Sequence, residues 1–399
     1  MHQPKVNDWT TDYDILDPEY VVHPYAVWDD LREGCPVAHS DRWGGSWMPT
    51  RYADVFAAAH DVTHFSSRDV GVLGFEPGER PPAAIEVPVP PIDSDPPDHT
   101  WQRRLLLPWF SHTKVDEEYE PIARKLCREL AEGLRDQGSA DAAADYAQQI
   151  PVRVIAHVLG VPTDMSDTFT GWVRDVLEFA HDEVRVARGR DGIEAFLVQQ
   201  LIDRRTDPGD DLISTLLAAE VDGEPVPDLQ IMGIAALTLI AGVDTTWSAI
   251  GSSLWHLATH PDDARRLVAE PELMPTAIEE LLRAYSPVTM ARIATTDVEL
   301  GGCPIKAGDK VLMNFPAANR DPRAFEDADR VVLDRTENRH LAFGAGIHRC
   351  AGSNLARMEL RVAIEEWLRA IPEFRLADGA EVTWAGGQVR GPRTLPVVF

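Results

Sequence analysis

The chain has 399 residues, 44% of them hydrophobic, which is enough to bury a large core, and length alone would allow two or three domains. Thirty-eight basic residues against 65 acidic ones leave a net charge of −27, which argues against general nucleic-acid binding because phosphate contacts need a basic surface. Four scattered cysteines are too few for a disulfide framework, and the opening MHQPKVNDWT has no apolar signal core, so a reducing, cytoplasmic setting is expected.

Read in chain order, the elements are mostly helical, with no tandem repeat. PYAVWDDLREG carries apolar residues at helical spacing. Arg68 to Pro97 then holds eight of the 30 prolines and no helical period, and irregular segments of that length often line or cover a site. Pro97 and Asp98 begin a helix, and EPIARKLCRELAEGL resumes the helical period. A long helix starts near Asp228 and contains the run Ile231 to Val243, too short to span a bilayer comfortably. AIEELLRAY is helical again. DVELGGCPIKAGDKVLMNF reads as a hairpin broken at Gly301–Gly302 and again at Ala307–Asp309.

Chemistry concentrates in FGAGIHRCAG, residues 343–352. A thiolate that ligates iron needs backbone N–H donors to moderate its charge, and Gly344, Gly346 and Gly352 allow a turn tight enough to aim them. AGSNLARMELRVAIEEWLRAI follows as an amphipathic helix, so Cys350 stands at its positive end, where a thiolate is favoured. A dinucleotide fingerprint fits worse, with Arg349 in place of the third glycine, and His348 with Cys350 matches no usual zinc pairing.

The same stretch resembles the haem-binding signature of the cytochrome P450 family, with Phe343, Gly346, Cys350 and Gly352 at the matching positions and Cys350 as the implied iron ligand. Three further stretches carry the resemblance. In AGVDTTWSAIG, Asp244 and Thr245 interrupt an apolar pattern beside Gly242, an arrangement that can open a helix to oxygen and water. The resemblance makes them the acid–alcohol pair that delivers protons to dioxygen. In EELLR, Glu280 and Arg283 share one helix face and would ordinarily be a solvated pair. The resemblance implies a buried structural pair, joined by Arg335 or Arg339. In DPPDHTWQRRLLLPWF, His99 and Arg103 lie four apart on one face. With Arg292 and His348 they are the implied holders of the haem propionates, although Trp101 stands where many relatives carry a further Arg.

The resemblance therefore implies a triangular, mainly α fold with a small β region: one haem domain over residues 1–399, with 68–97 as a substrate-access loop and GQVRGPRTLPVVF as terminal strands. Haem b would lie between the helix bearing Thr245 and the helix after Cys350. No reductase module or membrane helix is expected. A monomeric bacterial-type monooxygenase follows, using O2 and drawing NAD(P)H electrons through a ferredoxin or flavodoxin with its reductase. Its implied substrate is a largely hydrophobic small molecule, hydroxylated or O-demethylated. The implied walls are Val72, Leu73, Ile85, Leu237, Ala241, Val288, Thr289, Ala291 and Val389, while Arg103, Arg104, Arg349 and Arg357 form the expected donor patch. A peroxide-driven peroxygenase or isomerase, and a non-catalytic haem sensor, are the competing readings. The intact Asp244–Thr245 pair speaks against both.

Overall fold

The computed structural model describes residues 4–73 and 88–399. Its axis is the long apolar helix Asp228–Thr259, 32 residues between the flanking caps Pro227 and His260, with most side chains buried. A helix apolar on nearly all sides must be surrounded by protein or lipid. Here protein surrounds it: the helices Gln149–Leu159, Ser166–Leu177, Glu183–Thr206 and Ser353–Ala370 and the strand Gly391–Thr394 pack around it. Among the described residues it is the one helix long and apolar enough to cross a membrane.

The central part of this helix differs from the expectation. It runs on as regular α-helix through Gly242, Asp244 and Thr245, without an opening. Gly242 serves packing instead, since a Cβ there would stand 2.4 Å from Ile155 Cδ1. Its absence lets the Gln149–Leu159 helix approach.

The other expected helices form as Pro24–Gly34, Asp98–Leu106, Glu120–Arg135 and Met274–Ala284, and the helix after Cys350 forms as Ser353–Ala370. Glu366 ties this last helix to Glu120–Arg135. It accepts from Arg124 at 3.2 Å, Arg128 at 3.1 Å and Arg369 at 2.8 Å. Burial alone would raise its pKa, but the three guanidiniums bring it down to about 2.

The β region centres on a five-stranded sheet in the order Val37–Ser40, Ser46–Pro49, Lys310–Met313, Met290–Ala294, Phe65–Ser66. The expected hairpin is in fact two pairings. Val298–Leu300 pairs with Cys303–Ile305 across Gly301 and Gly302, whereas Lys310–Met313 turns back onto Met290–Ala294. Both turn glycines have positive φ, 58° and 86°, a conformation that glycine adopts without penalty. Near the chain end, Pro396–Val398 pairs with Arg375–Leu376 and Ser139–Asp141, and Gly391–Thr394 pairs with Thr383–Ala385.

The described parts of the Pro-rich segment are irregular, as expected. Residues 70–73 are pinned to the large sheet. The Ala291 N–H donates to the Val70 carbonyl at 3.0 Å, and Lys310 Nζ donates to the carbonyls of Gly71 and Leu73 at 2.8 and 3.2 Å. Ile85 lies outside the described residues.

Candidate active site

The loop before the Ser353–Ala370 helix is held by local backbone bonds. The Cys350 N–H donates to the Phe343 carbonyl at 2.8 Å and the Arg349 N–H to the Gly346 carbonyl at 3.2 Å. Gly346 has φ 66°, and a Cβ there would stand 2.4 Å from the Ala59 carbonyl oxygen, so the loop presses on the helix Tyr52–His60 through a residue with no side chain. Gly352 is different. Its φ of −85° suits any residue, and no described protein atom lies within 4 Å of a Cβ built there.

Cys350 sits just ahead of the helix N-terminus. Its side chain keeps accessible surface, yet burial is the largest influence on its thiol and raises the pKa. That surface therefore faces an internal space. The Gly352 N–H, then Arg103, Arg349 and Arg357, pull the other way and favour the thiolate.

A cluster of basic side chains surrounds this space. The His99 and His348 rings meet at a tilt of 56°, with centroids 4.3 Å apart. Arg103 donates through Nη2 to the Arg349 carbonyl, and Arg292 reaches only its own neighbour, the Ala291 carbonyl, at 2.7 Å. Ser67 Oγ lies 2.8 Å from His348 Nε2, while His99 Nε2 is buried without a partner. Among the described residues none of the four has a carboxylate within salt-bridge distance. Burial, and after it the neighbouring cations, press protons off them: His348 falls to about 3, His99 is lowered, and Arg292 falls to about 10 through burial. Such a cluster fits a ligand with two carboxylates.

A buried arginine cluster lies behind the loop. Glu280 and Arg283 are both fully buried and bond in two places, at 2.8 Å each. The structure decides the third member. Arg335 Nε donates to Glu280 at 2.9 Å, joined by the Val332 N–H and Asn338 Nδ2, while Arg339 only offers its carbonyl to Tyr52. Arg283 also holds the carbonyls of Asn319, Ala328 and Arg330, tying down the chain that leads to Cys350. Arg357 departs from the expected surface role. It chelates Glu279 at 2.6 and 2.8 Å and covers the Phe343 ring, so it is not free to meet a partner.

On the long helix, Leu237, Ala241 and Thr245 recur at i, i+4 and i+8 and keep accessible surface along a largely buried stretch. Thr245 Oγ1 donates to the Ala241 carbonyl at 2.7 Å. Asp244 points elsewhere and is 1% exposed. Arg393, which sequence reasoning did not single out, donates to Asp244 Oδ1 at 2.7 Å, to Ser248 Oγ at 3.1 Å and to Glu178 Oε2 at 3.0 Å, and it covers the Trp247 ring. Arg174 holds Glu178 in turn at 2.8 and 2.9 Å. Burial raises the Asp244 pKa, Arg393 opposes this, and Glu178 reinforces it. The only sequence signal for Arg393 was its place in GQVRGPRTLPVVF, expected as terminal strands.

The remaining candidate walls divide. Val288 bridges Val389, and the Thr289 N–H donates to the Gln388 carbonyl at 3.0 Å, which brings these two segments side by side. Val72 and Ala291 instead sit in a hydrophobic cluster with Tyr13, Trp28 and Leu312, with Leu73 packed against it. Ala291 has no exposed surface, so in this structure it acts as core.

The donor set also limits what metal group could fit. Among the described residues no three His, Cys, Asp or Glu side chains gather to hold an ion. A metal on Cys350 must bring its other ligands with it, and a dicarboxylate macrocycle such as haem does so.

Comparison with known proteins agrees. The cytochrome P450 family model matches residues 178–377, and mycinamicin IV hydroxylase/epoxidase from Micromonospora griseorubida is 38% identical over 364 residues, 89% of each chain. The chain belongs to the cytochrome P450 family. This P450 is also 36% identical to vitamin D(3) 25-hydroxylase from Pseudonocardia autotrophica, across 98% of its own length and 97% of that protein's. Its fold superposes on CYP109E1 from Bacillus megaterium, solved in complex with testosterone, with a TM-score of 0.87 at 30% identity, covering 96% of this chain and 99% of that one. It is an oxidoreductase of the bacterial monooxygenase kind, with haem as cofactor and O2 as co-substrate.

Proposed function

We propose that this P450 is a single haem domain that inserts one oxygen atom from O2 into a C–H bond of a largely hydrophobic small molecule, by hydroxylation or O-demethylation. The observation that carries the reading is the pairing of one internal cysteine at a helix N-terminus with four basic side chains that have no carboxylate partner among the described residues. Bound haem supplies the redox chemistry of dioxygen, with electrons from NAD(P)H passed through a ferredoxin or flavodoxin and its reductase.

The protein's own side chains do the rest. Cys350 ligates, its thiolate supported by the Gly352 N–H and the helix end. His99, Arg103, Arg292 and His348 hold the two propionates. Thr245 and Asp244 hold and pass protons, and Arg393 fixes the direction and charge of the Asp244 carboxylate. Leu237, Ala241, Val288, Thr289 and Val389 orient the target carbon, a matter of proximity rather than of chemistry. Relatives named for mycinamicin IV, vitamin D(3) and steroid oxidation support a bulky, mostly apolar substrate. Arg104 and Arg349, both exposed beside Leu107 and Ile347, support an acidic electron donor docking at this edge.

The test is spectroscopic and catalytic. The reduced, carbon monoxide-treated protein should show the red-shifted band of thiolate-ligated haem, and Cys350→His should lose it. Oxygen consumption should require both an apolar substrate and the reduced donor. Retention of the band by Cys350→His would overturn the ligand assignment. Equal turnover with peroxide alone would favour a peroxygenase, and no oxygen use with any substrate would favour a sensor.

A further inference from the structure

Two cysteines distant in sequence from the Cys350 loop converge on one atom. Cys35 caps the C-terminal end of the helix Pro24–Gly34, and Cys303 begins the strand Cys303–Ile305. Cys35 Sγ lies 3.6 Å and Cys303 Sγ 3.7 Å from the carbonyl oxygen of Val37. Two sulfurs sharing one acceptor can be no farther apart than those two contacts laid end to end, and lone pairs on one oxygen bring them closer. Reaching bonding distance then requires one or both side chains to rotate from the rotamers that meet at this oxygen. The backbone around them is closely seated. A Cβ on Gly301, in the turn before Cys303, would stand 2.6 Å from Val37 Cγ2. Both thiols are partly exposed, whereas Cys127 is fully buried, so a small oxidant reaches this pair and not that residue.

We propose that Cys35 and Cys303 form a disulfide when the protein meets hydrogen peroxide, stapling the junction of the first large helix and strand to the Val298–Ile305 hairpin. The reaction balances with peroxide as the oxidant. One thiol takes an oxygen atom from peroxide, giving a sulfenic acid and one water. The second sulfur then displaces that oxygen, forming the S–S bond and a second water, so two thiols lose two electrons and one peroxide gains them. Cys303 is the second to react. Its thiol is pushed up by burial first, then by Cys35, Asp54 and Glu299, which keeps it protonated and a slow first target. The pair is independent of the substrate and electron-donor reading, because it uses only peroxide and residues remote in sequence from Cys350.

The experiment uses the haem-loaded protein. It is exposed to a small molar excess of hydrogen peroxide, quenched with catalase, alkylated with N-ethylmaleimide, and digested without reductant for mass spectrometry. The expected result is a linked peptide pair carrying Cys35 and Cys303, loss of alkylation at both, and recovery of both after dithiothreitol. Cys303→Ser and Cys303→Ala should abolish the linked species, and a Cys127→Ala control should retain it. Full alkylation of both residues after peroxide, or their separate oxidation to sulfinic acids without a linked peptide, overturns the proposal.

Discussion

Glu359 offers a magnitude that can be worked from the structure. It lies in the middle of the Ser353–Ala370 helix, 1% exposed, with Oε1 lacking any hydrogen-bond partner, and burial alone pushes its pKa from the ordinary 4.5 to about 8. No cation offsets that burial. The folded protein therefore keeps a proton that the unfolded chain releases, and stability is lost as pH rises through this window. Between pH 4.5 and 8 the loss is about 1.4 kcal/mol per pH unit, roughly 3 kcal/mol by pH 7, levelling off above pH 8. Glu359→Gln removes the ionisation and keeps the shape. Its amide carries a fixed cost of about 1–3 kcal/mol for an unpaired donor, but that offset does not vary with pH. The measurable quantity is thus the slope: the stability of Glu359→Gln relative to wild type, from urea unfolding at pH 5, 6, 7 and 8, should rise by about 4 kcal/mol across the series. A difference that stays flat over those pH values would show that Glu359 is ionised in the fold, and the reasoning from its burial would fail.

Thr245→Ala should retain haem and cost at most about 1 kcal/mol, because the hydroxyl bonds only the Ala241 carbonyl, yet it should divert reducing equivalents into hydrogen peroxide; tight coupling of NAD(P)H oxidation to product would refute its proton role. Arg335→Ala should destabilise the protein by about 3 kcal/mol by stripping a cation from buried Glu280, while Arg339→Ala should stay within about 0.5 kcal/mol, and denaturant midpoints compare the two. Arg104→Glu should slow reduction by an acidic ferredoxin without changing substrate affinity, with stopped-flow rates converging on wild type as salt shortens the screening length.

What the sequence made legible was local. The Cys350 loop is ten residues of glycine-spaced chain followed by an amphipathic helix, and the backbone bonds from Cys350 to Phe343 and from Arg349 to Gly346 close within that stretch, so pattern and structure agree there. Glu280 and Arg283 were visible as one helix face, but Arg335 and Arg339 sit four apart in an irregular segment, where only three-dimensional approach to Glu280 separates them. Gly242 was read as loosening a helix. It instead admits Ile155 from a neighbouring one, and a single sequence cannot distinguish a glycine that frees backbone from one that clears space. The resemblance implied Ala291 as a wall, yet its side of the strand faces the Tyr13 and Trp28 cluster. Arg393 was invisible for a related reason: nothing near either residue in sequence connects it with Asp244.

That distance has a consequence for how the protein is made. Asp244 leaves the ribosome 149 residues before the cation that neutralises it. At ordinary synthesis speeds this is an interval on the order of 10 s. During it the longest helix can wind, since its backbone bonds are local, but it cannot close over an ionised carboxylate that has no counter-charge. The nascent helix must either keep Asp244 toward water or hold it protonated. Final docking then waits for the strand Gly391–Thr394, which also lies against this helix. Assembly of the core is in this sense timed by its last strands, and a nascent chain halted before them should present an open, protease-sensitive centre even though nearly all of its helices have been synthesised.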